Sequence, residues 1–400
     1  MLVIARRTAD HLFVGAGKPE RPKGGDGGSR LRRENRLADS QLVDEAHLLQ
    51  SLQRRLARVR RLSLVVRGCE IPSSEPGVVM RRPHQAVEVV LAHWRYKGFV
   101  LQPSLAKRLK RWVRYWVVRI GLAVVSRLPV RMAARLGEAF GSAAFHLAAG
   151  ERRKALESLA VAFPEKTELE RKAIALSSFR HLGRSTFENA CLPKLDPSLD
   201  ARVEWPAADR ERLEQAVRLR RGVVLVTGHV GNWELLAQFL IQSKVDGVTV
   251  AKELSDPRLT ALLDDFRAQR GVRSLWRGAD GTAKSILRAL RSGQVIGILI
   301  DQDTDVQSVF VPFFGKLAAT PRAAADLVLR TSAPVVVAFC QRKQDGRYRV
   351  SIEEVAFDPT GEREADVVSL TAKLTSRIED AIRRAPEQWV WLHRRWKTQP

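Results

Sequence analysis

The string His229-Val230-Gly231-Asn232-Trp233-Glu234 carries the residue types for proton transfer: an imidazole, and a carboxylate five positions on. On one continuous helix, positions five apart point about 140° away from each other, so the two would not meet. With His229 on a turn before the helix, they can. A carboxylate on one ring nitrogen fixes the tautomer and stabilises the imidazolium, which leaves the other nitrogen free to take a proton from a substrate hydroxyl. His229 is then the candidate general base and Glu234 the candidate orienting group. A histidine at a strand end that only hydrogen-bonds neighbouring backbone is the competing reading.

The flanking residues build such a turn. Gly222 and Gly228 bound the apolar, mostly β-branched run Val223 to Val226, which reads as a strand covered on both faces. From Trp233 the apolar residues Leu235, Leu236, Phe239 and Leu240 follow a helical period, with Asn232 placed to cap the first turn. Further strands are expected at Val248 to Ala251, Val295 to Ile300 and Val335 to Phe339, with helices between them. Glu168 to Leu182, opened by a Thr167/Glu170 capping box, and Leu370 to Arg383 read as helices. The expected fold class is α/β, a central, mostly parallel sheet flanked by helices.

Asp301-Gln302-Asp303 follows the run Val295 to Ile300, then come Val311-Pro312-Phe313-Phe314-Gly315 and Ala318-Ala319-Thr320. Near the end stands Pro386-Glu387-Gln388-Trp389-Val390-Trp391-Leu392-His393-Arg394-Arg395-Trp396-Lys397. In this order, with Arg152-Arg153-Lys154-Ala155 and Ala162-Phe163-Pro164-Glu165, the segments resemble the late acyltransferases of lipid A biosynthesis. These are the lauroyl and myristoyl transferases of the lysophospholipid acyltransferase superfamily, and the resemblance covers roughly residues 105 to 400. A His-x4-Glu alone is weak; the ordered C-terminal string is strong. The resemblance implies a glycerolipid acyltransferase-like fold with N-terminal membrane-associated helices. It also implies transfer of a fatty acyl group from an acyl carrier protein thioester to a hydroxyl of a lipid A precursor, at the cytoplasmic face of the inner membrane.

Further site residues are expected on that basis. Arg277 stands where the superfamily carries a substrate-binding arginine, or is a solvated surface residue. Asp301 and Asp303 follow a strand end, where open α/β sheets place ligand contacts, and would hold Arg277 or a substrate amine or hydroxyl, or cap a turn. Phe313 would line an acyl groove or belong to the core. Arg394 and Arg395 would contact phosphate, or snorkel from a packed C-terminal helix. No metal and no cofactor are expected: there is no His-Glu-x-x-His, and Cys69, Cys191 and Cys340 stand far apart.

Charge is uneven along the 400 residues. Residues 1–200 carry 37 Lys and Arg against 19 Asp and Glu, and the rest carry 31 against 25. Such an excess suits a polyanionic partner: an anionic inner-membrane surface, an acidic carrier protein or a phosphorylated glycolipid. Nucleic acid is disfavoured, since zinc-finger spacings and Gly-rich ribonucleoprotein signatures are missing. Residues 1–104 read as a basic, poorly ordered extension, with a Gly- and charge-rich stretch at 15–33 and a basic amphipathic helix over Leu49 to Arg61. They depart from the family, and a true start at Met80 is the alternative. Residues 105–150 read as a membrane-associated helical segment in which Arg114 and Arg119 interrupt the apolar stretch Trp112 to Val125, so an interfacial or weakly spanning helix is expected. Residues 151–400 would form the acyltransferase domain. Two other functions remain open: an enzyme of the same superfamily acting on another glycolipid or a lysophospholipid, and a non-catalytic basic membrane-binding protein. Oligomeric state is not legible.

Overall fold

The computed structural model describes residues 105–191, 199–279 and 281–400. The extension at 1–104, including the helix expected at Leu49 to Arg61, lies outside them.

Four helices come first: α1 (Leu105–Val125), α2 (Val130–Leu147), α3 (Ala149–Ala162) and α4 (Glu168–Ala190). The capping box at the start of α4 forms as expected, with Glu170 Oε2 accepting from the Thr167 amide at 2.7 Å. α2 and α4 approach until their backbones nearly touch, because Gly137 and Gly141 of α2 face Gly183 and Phe179 of α4. A Cβ on Gly141 would stand 2.1 Å from the Phe179 carbonyl oxygen. None of the described helices is long and apolar enough to cross a membrane.

A seven-stranded sheet follows. After the short α5 (Leu199–Arg202) come β1 (Val203–Glu204), α6 (Ala207–Arg218), β2 (Val223–Thr227), α7 (Trp233–Gln242), β3 (Gly247–Lys252), α8 (Pro257–Ala268), β4 (Arg273–Arg277), α9 (Thr282–Arg291) and β5 (Val295–Leu299). The hairpin β6 (Ser308–Phe313) and β7 (Lys316–Pro321), α10 (Ala323–Thr331), β8 (Val335–Arg342), β9 (Tyr348–Glu354) and α11 (Arg363–Arg384) complete the chain, with a 3₁₀ turn at Pro386–Gln388. The spatial order is β1-β9-β8-β2-β5-β3-β4, all neighbours parallel except the β8–β9 pair. The sheet is thus mostly parallel and flanked by helices, and β2, buried along its whole length, sits at its centre.

Two features of the sheet matter for the site. β2 and β5 are neighbours, although β3 and β4 come between them in sequence, so the ends of the two apolar runs lie side by side. β3 and β5 pair only over Gly247–Thr249 against Val295–Gly297, while both strands run on. Beyond that register the ladder ends. A cavity opens there, with Val250 and Lys252 on one side and Ile298 and Leu299 on the other.

Candidate active site

His229 sits two residues past the end of β2, and Asp301 two past the end of β5. Because the strands are parallel neighbours, the carboxylate meets the histidine twice. Asp301 Oδ1 accepts from the ring Nδ1 at 2.8 Å, and its Oδ2 accepts from the His229 backbone amide at 2.7 Å. The Trp389 indole donates to Oδ2 at 2.8 Å. Asp301 is fully buried, and burial pushes its carboxyl up. The His229 charge, the histidine ring and amide and the indole outweigh that and hold it at about 2. An acceptor-only carboxylate on Nδ1 requires that nitrogen to carry the proton, so Nε2 of the neutral ring keeps its lone pair. The ring stands edge-on to Trp233, centroids 4.9 Å apart, and lines the cavity.

The expected partner of His229 is therefore corrected. Glu234 does cap the cavity wall beside it, in the first turn of α7, but its carboxylate is gripped by Arg267 of α8, Oε1 to Nη2 at 2.6 Å and Oε2 to Nε at 3.0 Å. Asn232 caps α7 as expected, accepting from the Leu235 amide at 3.1 Å.

The turn itself depends on Gly231. Its φ is +66°, and a Cβ there would stand 2.1 Å from the Cys340 carbonyl oxygen on β8. The C-terminal tail then clamps the turn: the Gly231 amide donates to the Gln388 carbonyl at 2.8 Å and the Val390 amide to the His229 carbonyl at 3.3 Å. His181 of α4 donates from Nε2 to the Gly231 carbonyl at 3.2 Å, and burial pushes its pKa down to about 4.

The other expected site residues divide. Arg277, at the end of β4, lines the same cavity as His229, and no hydrogen-bond or carboxylate partner meets it among the described residues. Burial pushes its guanidinium pKa down. Asp303 does not hold Arg277: it accepts from the Thr398 amide at 2.9 Å and the Thr398 hydroxyl at 3.1 Å, and so fastens the chain end. Phe313 is not a groove residue; it is fully buried among Phe314, Trp389 and Trp396. Arg395 is not available to phosphate either. It is wholly buried, bonded to the Ala319 carbonyl and the Thr320 hydroxyl over the Phe313 ring, and loss of water lowers its pKa to about 10. Arg394 is exposed and lies outside the cavity lining. Trp389, Gly231, His181 and Arg267 were not foreseen. Gly231 and Trp389 carried a signal, each standing inside one of the quoted motifs; His181 and Arg267 carried none.

The cavity measures about 1320 Å³ and is walled by Leu236, Leu240, Ile241, Leu263, Ile286 and Ile298, among others. It is large for a ligand site and mostly apolar, with His229, Glu234, Arg267 and Arg277 as charged or titratable points. Among the described residues no group of three His, Cys, Asp or Glu could hold a metal ion.

A histidine whose ring is held by a buried carboxylate, lining a large and mostly apolar cavity in an α/β fold, suits an enzyme that brings a hydroxyl and an aliphatic chain together. The chain belongs to the bacterial lipid A biosynthesis acyltransferase family, whose family model matches residues 103–398. It is an acyltransferase of the late lipid A type. It is 29% identical over 296 residues to the lipid A biosynthesis lauroyltransferase of Escherichia coli (strain K12), covering 72% of this chain and 93% of that protein. It is 27% identical over 295 residues to the lipid A biosynthesis myristoyltransferase of the same organism, 71% of this chain and 88% of that protein. Similarity extends to the phosphatidylinositol mannoside acyltransferase of Mycobacterium tuberculosis (strain ATCC 25618 / H37Rv), 26% identical over 306 residues, 75% and 94% of the two chains.

Proposed function

We propose that this enzyme moves a fatty acyl chain from an acyl carrier protein thioester to a hydroxyl of a lipid A precursor, with His229 as general base. The observation that carries the reading is the Asp301 carboxylate on Nδ1 of a ring that lines the cavity, so that Nε2 is the acceptor nitrogen of the neutral tautomer this pairing selects. Nε2 takes the proton of the acceptor hydroxyl as its oxygen attacks the thioester carbonyl carbon. The tetrahedral oxyanion collapses, the C–S bond breaks, and the imidazolium returns the proton to the departing thiolate. Asp301, ionised throughout, stabilises the imidazolium between the two transfers.

Proton transfer of this kind contributes about 10²–10⁴-fold, so charge must also be stabilised on the carbonyl oxygen. Arg277 and the Trp233 and Glu234 amides at the start of α7 are the groups we assign to that task, since both residues line the cavity while Asn232 already takes the Leu235 and Leu236 amides. The acyl chain lies in the apolar cavity, and Glu234, held by Arg267, contacts the acceptor.

Placement at the cytoplasmic face of the inner membrane is supported by α1. Its exposed apolar residues include Leu109, Trp112, Trp116 and Ile120, beside Lys107, Arg108, Lys110 and Arg111. That pattern suits a helix lying in the interface next to anionic lipid. The acceptor class is tested by offering acyl carrier protein thioesters with either a lipid A precursor or a mannosylated phosphoinositide and weighing the products by mass spectrometry. Product on the first acceptor alone supports the reading; product on the second alone moves the enzyme to the other substrate.

A further inference from the structure

A second cavity, of about 390 Å³, lies behind α2 and shares no lining residue with the His229 cavity. Its wall carries Arg131, Arg135, Arg184, Arg202, Arg342 and Arg347. Three acids also face it, and each is already engaged: Glu138 by Arg184, Glu188 by Arg184 and Arg342, and Asp345 by Arg347. Arg131 and Arg135, one helical turn apart, meet no carboxylate and no hydrogen-bond acceptor among the described residues.

Arg131 is also in an unfavourable place. It sits in the first turn of α2, which has no acidic residue and no side-chain cap on Pro129, so a cation faces the positive end of the helix. An anion in the cavity would meet both arginines and the positive end of the helix at once. Beside the arginine pair, one residue further round the helix, Met132, Leu136 and Phe140 form an apolar stripe at four-residue steps, and each is about half exposed or more. Cationic pair, uncapped helix end, concave pocket and apolar stripe together fit an anionic headgroup attached to aliphatic chains.

We propose that this cavity binds the phosphate of an acidic phospholipid, with its acyl chains along Met132, Leu136 and Phe140. The proposal rests on the membrane placement given above and is separate from the chemistry at His229.

The test uses the full chain, sedimented with vesicles of phosphatidylcholine alone or of phosphatidylcholine with phosphatidylglycerol at fixed ionic strength. The native protein, Arg131→Ala/Arg135→Ala and Arg131→Lys/Arg135→Lys are compared, with inorganic phosphate as competitor against an equal ionic strength of chloride. Thermal unfolding confirms that the variants fold. We expect the native chain to prefer phosphatidylglycerol vesicles, the alanine pair to lose about tenfold or more in binding to them, and phosphate to release the native chain better than chloride does. The lysine pair, which keeps the charge and loses the planar fork, should lose about threefold or more. Equal binding by the lysine pair and the native chain, with no special effect of phosphate, would overturn the site in favour of diffuse charge attraction. Loss of turnover by the alanine pair on detergent-dispersed glycolipid would also overturn it, placing the acceptor's own phosphate in the cavity. Native protein that binds neither vesicle would remove the membrane placement itself, while His229 chemistry measured in detergent would stand.

Discussion

Asp301 holds His229 at two points, ring and backbone, so one buried carboxylate sets both the tautomer of the imidazole and the position of the turn that carries it. Replacing Asp301 by Asn keeps the shape and removes the charge that fixes Nδ1–H and stabilises the imidazolium. We expect Asp301→Asn to lower kcat by about 10²–10⁴-fold while the protein remains folded. Steady-state turnover and a thermal melt measure both. Native-like turnover would mean that the imidazole is positioned by something else.

Trp389 reaches Asp301 from the C-terminal tail. Trp389→Phe deletes one hydrogen bond to a buried charge, worth about 1.5–3 kcal/mol. The thermal midpoint and kcat should both fall, and the kcat loss should be smaller than for Asp301→Asn. A variant with native midpoint and rate would show that the tail only covers the site.

Glu234 and Arg267 form an ion pair in the cavity wall, with side-chain exposures of 15% and 12%. If Glu234 serves the acceptor and not the imidazole, Glu234→Gln raises the acceptor KM more than it lowers kcat. The pH profile of kcat keeps its native shape. The competing arrangement, Glu234 on the histidine, predicts that Glu234→Gln and Asp301→Asn distort that profile alike.

Gly297 on β5 lines the cavity where β3 and β5 part, and a Cβ there would meet Thr249 Cγ2 at an ordinary 3.6 Å. A larger side chain therefore has room to start and must grow into the cavity. Gly297→Leu should shift donor preference toward shorter acyl chains, since each methylene denied burial costs about 0.8 kcal/mol. Competition between donors of different length, read by product mass, decides it. Unchanged selectivity in a folded variant would move the acyl chain elsewhere.

The pH dependence of stability follows from His181. Its folded pKa of about 4 lies below the ordinary 6.5, so between these values the unfolded chain binds the proton and the folded one does not. Stability is therefore full above pH 6.5 and declines as pH falls toward 4, by about 3 kcal/mol for this group. His393, also lowered by burial, adds in the same direction. Asp301, held at about 2, stays ionised across that window and contributes no loss there. Denaturant unfolding of native protein and His181→Gln at pH 7 and pH 5 should show a smaller difference for the variant. An equal difference would assign the acid sensitivity to other groups.

How much was legible in the sequence depended on range. Strands β2, β5 and β8 were readable because central parallel strands are apolar on both faces, and the Thr167/Glu170 cap because it closes within four residues. β4 and β9 alternate apolar residues with Arg and Ser at the less buried parts of the sheet, and gave no continuous run. The Glu234 assignment failed because its true partner, Arg267, stands 33 residues away on another helix, whereas the motif suggested a local pair. Asp301 was readable as a strand-end acid, but its bond to His229 requires β2 and β5 to be neighbours. Strand order is decided by long-range packing. Arg394 and Arg395 look identical in sequence; one faces solvent and the other lies under the β7 backbone.

We propose His229 as the base of an acyl transfer. Its most direct test measures product from acyl carrier protein thioesters and a tetra-acylated lipid A precursor with the native protein and with His229→Ala. Product is expected from the native protein, with a loss of about 10²-fold or more in the variant, at matched thermal stability. Equal product from both would contradict it.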